Sequence, residues 1–343
     1  MDAIRRRCES GVLGYTAIPD SYYDAIAKWL DRRYGCRVDK SMIQFTPGIV
    51  SGLAFSMQAF TEPGDKILIQ PPVYHPFFIY TEKNNRIAVQ NPLILENGRY
   101  RMNIPQFREL VKDCKMFILC NPHNPGGIIW EKETLEEIAE ICYDNGVIVV
   151  SDEIHADLAL PGNKHTPFAC ISEKARMNSV TFMAPSKAFN IPGLCSSYAV
   201  IPNKELKERY TEELEKTESG TGHVFSYLAV ETAYNEGEEW LSQAMEYMQG
   251  NIDYLCEYMS ENMPKIHPIR PQASYLVFLD CRELGLEQPE LVRFFIDGAH
   301  LALNDGTMFG KEGAGFMRMN VGCPRSVIKR ALDNMKSAYD RIF

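Results

Sequence analysis

The sequence of 343 residues lacks any excess of positive charge: 36 Lys and Arg stand against 45 Asp and Glu, a formal net charge of -9. That balance argues against a nucleic-acid surface or an anionic membrane surface, while leaving room for a local basic pocket. No apolar run approaches the ~20 residues a membrane helix needs. No apolar segment follows the basic start Arg5-Arg6-Arg7, so this stretch is not expected to be a secretory signal. The ten cysteines include no C-x-x-C pair, and with it go the common zinc and redox spacings. No metal site is expected. Cys120 and Cys142 lie inside apolar runs, so the expectation is small buried hydrophobes in a reducing cytoplasm. Internal repeats and low-complexity tracts are also missing.

What is present suits a chain with a sizeable core: 45% hydrophobic and 24% charged residues. The length suggests about two domains. Apolar strand-like runs alternate with helical patterns through the first half. Lys66–Gln70, Lys115–Cys120, Val147–Ser151 and Ser179–Phe182 read as strands, and Ser21–Tyr34 and Lys132–Asp144 as helices. Such alternation predicts an α/β fold, a three-layer, mostly parallel sheet covered on both faces. A long helical stretch, Glu238–Glu261, can connect two domains, and the pattern beyond Pro264 is α+β. The expected division is a large domain over 20–240 and a smaller C-terminal α+β domain over 241–343, after an N-terminal segment, 1–19.

Function in open parallel sheets gathers at the carboxyl ends of strands. Three segments fall there: Asn121–Gly127, Asp152–Asp157 and Pro185–Asn190. Lys187 alone is one of 36 basic residues and reads as a surface lysine. At a strand end, partly desolvated, its amine becomes a nucleophile. Asp152 ends a continuous apolar run, where a carboxylate is costly unless it meets a cation or several donors. It reads either as a turn cap or as the partner of a protonated ring nitrogen. Asn124, in a proline-bracketed turn, is either turn chemistry or an amide aimed at a ligand oxygen. Tyr74, between Pro72 and Pro76, is core or a ring-stacking aromatic. Gly48-Ile49-Val50 opens a helix whose free N–H groups suit a phosphate. Arg318 interrupts an apolar strand and is either a structural ion pair or a carboxylate clamp. Together these describe a pyridoxal phosphate site.

The segments N-P-H-N-P-G-G (from Asn121), S-D-E-I-H-A-D (from Ser151) and P-S-K-A-F-N-I-P-G-L (from Pro185), in this order, make the chain resemble fold-type I pyridoxal-phosphate enzymes. Within the class I/II aminotransferase superfamily it is most similar to the cystathionine β-lyase/C–S lyase branch. The resemblance runs from Gly11-Val12-Leu13-Gly14-Tyr15-Thr16 to Gly315–Asn320. It implies that Lys187 binds the cofactor covalently, Asp152 pairs with the ring nitrogen, Asn124 with the ring hydroxyl, and Tyr74 stacks on the ring. Gly48, Ile49, Val50 and Ser186 would hold the phosphate. Arg318 would take the substrate carboxylate. Tyr15 would reach the partner subunit's site in a homodimer with shared active sites.

His155, which the resemblance places with the cofactor-binding residues as it does Tyr15, stands where the wider superfamily usually has Tyr, and Cys195 where it has an Arg for the phosphate; both match the lyase branch. The implied activity is α,β-elimination from cystathionine or related cysteine S-conjugates, giving a thiol, pyruvate and ammonia. The alternatives are an amino-acid aminotransferase and a non-catalytic homologue. Family members carry a few dozen residues before the Asp2–Glu9 helix, so a truncated or misassigned start is expected.

Overall fold

The chain opens with two helices, α1 (Asp2–Glu9) and α2 (Asp20–Tyr34), in a computed structural model that describes residues 1–342. Tyr22, Ile26, Trp29 and Leu30 recur at helical spacing along α2 and all are fully buried. Strand β1 (Ile43–Thr46) leads through Gly48 into helix α3 (Ile49–Phe60). Strand β2 (Lys66–Ile69), helix α4 (Pro76–Lys83) and strand β3 (Ile87–Gln90) follow. A small hairpin, β4 (Ile94–Glu96) with β5 (Arg99–Arg101), precedes helix α5 (Ile104–Leu110).

The central elements are the apolar runs. Strand β6 (Met116–Cys120) is buried at every position, as is strand β8 (Ser179–Met183). Between them lie helix α6 (Lys132–Asp144), strand β7 (Ile148–Asp152) and helix α7 (Glu173–Met177). Strand β9 (Ser197–Val200) completes a seven-stranded sheet of order β1-β9-β8-β7-β6-β2-β3. The five strands from β8 to β3 are parallel, and β9 runs antiparallel to both β1 and β8. Strands without a polar alternation need cover on both faces. Separate apolar clusters supply it: one contains Phe117, Leu119 and Ile138, the other Ile118, Leu53 and Tyr210.

Helices α8 (Lys204–Glu215), α9 (Val224–Glu236) and α10 (Glu238–Asn262) follow the sheet. A second sheet is built from β10 (His267–Ile269), β11 (Leu276–Asp280), β12 (Asn304–Asp305) and β13 (Phe316–Asn320), in the order β10-β11-β13-β12. Helix α11 (Gln288–Arg293) lies within this unit and α12 (Arg325–Tyr339) closes it. The observed α/β architecture is the expected one. No helix among the described residues is long and apolar enough to cross a membrane.

Cys120 and Cys142 are free and buried, as expected. Cys36 and Cys170, which the sequence did not single out, form a disulfide, their Cα atoms 5.6 Å apart. They are 134 residues apart in sequence, and only the packing of the segment after α2 against the Phe168–Cys170 turn brings them together. The other eight cysteines are free.

Candidate active site

Strands β6, β7 and β8 lie side by side, with Cys120 opposite Asp152 and Asp152 opposite Phe182. The three turns that follow them are therefore neighbours at one sheet edge, as the chain direction of a parallel sheet requires. They open on a cavity of about 410 Å³ lined by Lys187, Asp152, Asn124, His155 and Ser186, with Tyr74 and Arg318 also on its wall. Gly48, Ile49 and Val50, at the N-terminus of α3, line the same space. Of the residues singled out from the sequence, only Tyr15 lies elsewhere; it is fully exposed on the loop between α1 and α2.

Asp152 is 4% exposed. Its Oδ1 accepts a hydrogen bond from the Ile154 N–H at 3.1 Å. Burial pushes its carboxyl up to about 7, against smaller downward pulls from that N–H and from Lys187. A carboxylate so placed lacks compensation until a cation faces it. His155 is buried beside it, and burial together with Lys187 drives its imidazole down to about 3, so the ring is neutral. Its Nδ1 is buried without a hydrogen-bond partner.

The turn carrying Asn124 is fixed by its neighbour. His123 Nδ1 accepts from the Gly126 N–H at 3.3 Å, so its Nε2–H donates to the Pro72 carbonyl at 2.9 Å. Burial holds this imidazole neutral, lowering it to about 4. A buried neutral histidine stabilises the fold above its ordinary value of 6.5, and that stability is lost as pH falls toward the folded value. His123 and His155 both act in this direction in the protein without cofactor. Asp152 and Asp157, both raised by burial, act oppositely. The histidine contribution is isolated by comparing variants in urea unfolding between pH 6.5 and 4: His123→Gln is expected to reduce the slope of stability against pH by up to ~1.4 kcal/mol per pH unit. An unchanged slope in the variant would refute the assignment.

Gly127 ends the same turn at φ +66°, and a Cβ there would collide with the Pro271 ring and come within 2.9 Å of the Pro271 Cα. Gly127→Ala is therefore expected to cost about 2–4 kcal/mol, from the left-handed backbone and the overpacking together. Chemical denaturation measures this; a wild-type midpoint would contradict the packing.

Arg318 sits on β13, opposite Phe278 of β11. Its Nη1 donates to Asn124 Oδ1 at 2.9 Å and its Nη2 to Asn304 Oδ1 at 2.8 Å, while its guanidinium lies 4.7 Å from the Phe309 ring centroid. Its Nε is buried without a partner. Only neutral amides engage this cation, which fits a guanidinium kept available for an anion. At the other end of the cavity Ser196 is 1% exposed, and its hydroxyl has no partner. Cys195, in a left-handed conformation at φ +47°, lines the wall beside it.

Besides Ser196, two features escaped the sequence reading. Glu153 is fully buried behind the site, accepting from Ser151 Oγ at 2.8 Å and the Phe168 N–H at 2.8 Å, and bonded to His165 Nε2 at 2.7 Å. The S-D-E-I-H motif contains it, but its partners come from a distant loop. Tyr275 also lines the cavity, and nothing in its local sequence marks it.

A mostly parallel-sheet enzyme with an amine, a buried carboxylate and a guanidinium hydrogen-bonded to two amides around one strand-end cavity is the class that this fold and site define. The chain belongs to the class I and II aminotransferase family, whose model matches residues 4–335. Cystathionine beta-lyase PatB of Bacillus subtilis is 40% identical over 339 residues, covering 98% of this chain and 88% of that protein. The structure of cystalysin from Treponema denticola, which contains pyridoxal 5'-phosphate, superposes with a TM-score of 0.97 at 31% identity, over 100% of this chain and 87% of that one. A pyridoxal-phosphate-bound C–S lyase from Staphylococcus hominis gives 0.91 at 34% identity, over 98% and 86%.

The residues present fit that cofactor. Asp152 offers a charge to a protonated ring nitrogen, and Lys187 an amine to an aldehyde. The unpartnered Ser196 hydroxyl and the α3 N-terminus offer donors to a phosphate.

Proposed function

We propose that the protein is a pyridoxal-phosphate-dependent carbon–sulfur β-lyase, acting on cystathionine or related cysteine S-conjugates. The observation that carries this reading is the convergence of Lys187, Asp152, Asn124 and Arg318 on one cavity. The relatives described above support the choice of elimination, as do His155 and Cys195.

Pyridoxal phosphate, when bound, supplies a conjugated ring that accepts the electron pair left as the substrate Cα–H bond breaks. The chain's residues do the rest. Asp152, as a carboxylate, keeps a proton on the ring nitrogen facing it, and Asn124 orients the ring through its oxygen. Tyr74 packs against the ring face. Gly48, Ile49, Val50 and Ser186 hold the phosphate. Arg318 binds the substrate carboxylate and so aims the Cα–H bond at Lys187. The Lys187 Nζ takes that proton as general base. The β-carbon–sulfur bond then breaks with the sulfur leaving as thiolate, and water completes the conversion to pyruvate and ammonia.

The proposal includes a cytoplasmic homodimer in which Tyr15 of each chain serves the partner's site, and the division into domains at about residue 240. The full exposure of Tyr15 supports the shared site. The connecting helix α10 supports the domain division.

The test is incubation with cystathionine without any 2-oxo acid. Pyruvate and a free thiol are expected in equal amounts. Turnover that needs an added 2-oxo acid and releases no thiol would make the protein an aminotransferase instead.

A further inference from the structure

Tyr275 stands just before β11, and the backbone around it is spent on aiming its ring. Ser274 is fully buried at φ +80°, a conformation a non-glycine residue keeps only when its surroundings impose it. The Leu158 carbonyl accepts the Ser274 N–H at 2.9 Å, and Ala273 bridges to Ala159, so the segment is pinned to the loop that follows the His155 turn. On the other side, Gly322 leaves the ring its space. A Cβ at Gly322 would stand 3.3 Å from Tyr275 Cγ and 3.4 Å from its Cβ. The Val321 N–H donates to the Tyr275 carbonyl at 2.8 Å and fixes that approach. The ring lies on the cavity wall shared with Arg318, with the His155 ring 6.4 Å away between centroids and 32° between planes.

Resting on the lyase reading, we infer that Tyr275 is a specificity-determining residue. Its ring, together with that of His155, forms an aromatic wall for the sulfur-bearing side chain of the substrate. The chemistry of that wall is specific. Ring edges and faces make favourable contacts with a thioether sulfur and with apolar or aromatic groups beyond it. Leu276 and Ile154 extend the same wall. A substrate held by its carboxylate at Arg318, with its Cα–H bond toward Lys187, directs its β-substituent along this wall. The favoured substrates are cysteine S-conjugates with alkyl or aryl leaving groups. A leaving group that ends in charge, as in cystathionine, gains less.

The experiment uses the holoenzyme, with Tyr275→Ala and Tyr275→Phe. Binding is measured by calorimetry with 3-(benzylthio)propionate, which has the carboxylate and the thioether but no amine to react. Tyr275→Ala is expected to raise the Kd ~10-fold, and Tyr275→Phe to change it by less than about twofold, because the ring rather than the hydroxyl carries the contact. In turnover, wild type is expected to favour S-benzyl-L-cysteine over cystathionine by ~10-fold in kcat/KM, and Tyr275→Ala to lose that preference, mostly through KM. Cofactor affinity, read by absorbance, stays at the wild-type value in both variants. Unchanged calorimetric affinity in Tyr275→Ala, or a retained preference for the benzyl substrate, overturns the assignment. Absence of pyruvate from every conjugate would instead sink the lyase reading, with the calorimetry still deciding the role of Tyr275.

Discussion

Lys187→Ala is expected to reduce pyruvate release from a cysteine S-conjugate by at least ~10⁴-fold, since the mechanism we propose gives one side chain both the attachment of the cofactor and the general-base role. The structure gives reason to expect this loss without collapse of the fold. Lys187 follows β8 and faces the cavity; it is only partly buried, and no core cluster includes it. Truncation at that point enlarges an existing space and removes no packed apolar surface, so the stability change should stay within about 1 kcal/mol. Far-UV circular dichroism and the urea midpoint check the second half of the statement, and a stopped assay for pyruvate the first. A variant that keeps a tenth of wild-type turnover would show that another group takes the α-proton. His155 would be the nearest alternative, but it is buried as a neutral ring with its Nδ1 unpartnered.

Asp152→Asn should separate activity from stability. The amide retains the oxygen that accepts the Ile154 N–H at 3.1 Å but carries no charge. Without the carboxylate, the ring nitrogen is not held protonated, and turnover is expected to fall ~10²–10³-fold, the scale of losing one preorganised electrostatic contact. Stability of the cofactor-free protein should move the other way. The Asp152 carboxyl is raised from 3.8 to about 7 by burial. A carboxyl raised in this way contributes stability that is complete below 3.8 and lost as pH rises through about 7. At pH 8 the native aspartate therefore carries its full burial cost, on the order of a few kcal/mol. The asparagine carries none, so the cofactor-free variant is expected to melt higher than wild type at pH 8. The gap should narrow as pH falls and vanish near 4. Added cofactor should stabilise wild type more than the variant, because it brings the missing cation. Equal melting of the two cofactor-free proteins at pH 8 would mean that Asp152 is solvated or already paired.

These two expectations share a physical basis: the active site is kept at a cost to the fold. An aspartate at the end of an interior strand, two neutral buried histidines and a guanidinium answered only by amides each have better-compensated alternatives. They persist together around one cavity, the pattern expected where a charged ligand completes the compensation.

Much of the site was legible because each of its chief residues sits in a short segment that breaks a local rule. Asp152 ends an apolar run, Asn124 lies in a turn too rich in Pro and Gly for helix or sheet, and Arg318 interrupts a strand. Other parts were not legible. The Cys36–Cys170 bond depends on two loops meeting, and spacing alone gives no sign of it. Glu153 shares a motif with Asp152 and His155, yet its role behind the site appears only through His165 and Phe168. Tyr275 carries no sequence signal, because its significance comes from Ser274 and Gly322 steering it and from His155 beside it.

The sequence by itself determined the α/β class and singled out three strand ends, with the amine, carboxylate, amide and guanidinium that line the proposed site. Apolar periodicity and turn composition are local properties, and those assignments needed nothing more. Tertiary structure decided which of these residues meet. The order β8-β7-β6 in the large sheet sets Lys187, Asp152 and Asn124 on adjacent turns. The pairing of β13 with β11 and β12 then brings Arg318 to within 2.9 Å of Asn124 across 194 residues of chain. Strand order and the docking of a second sheet are set by the burial of whole faces, a sum over many residues that no short segment contains.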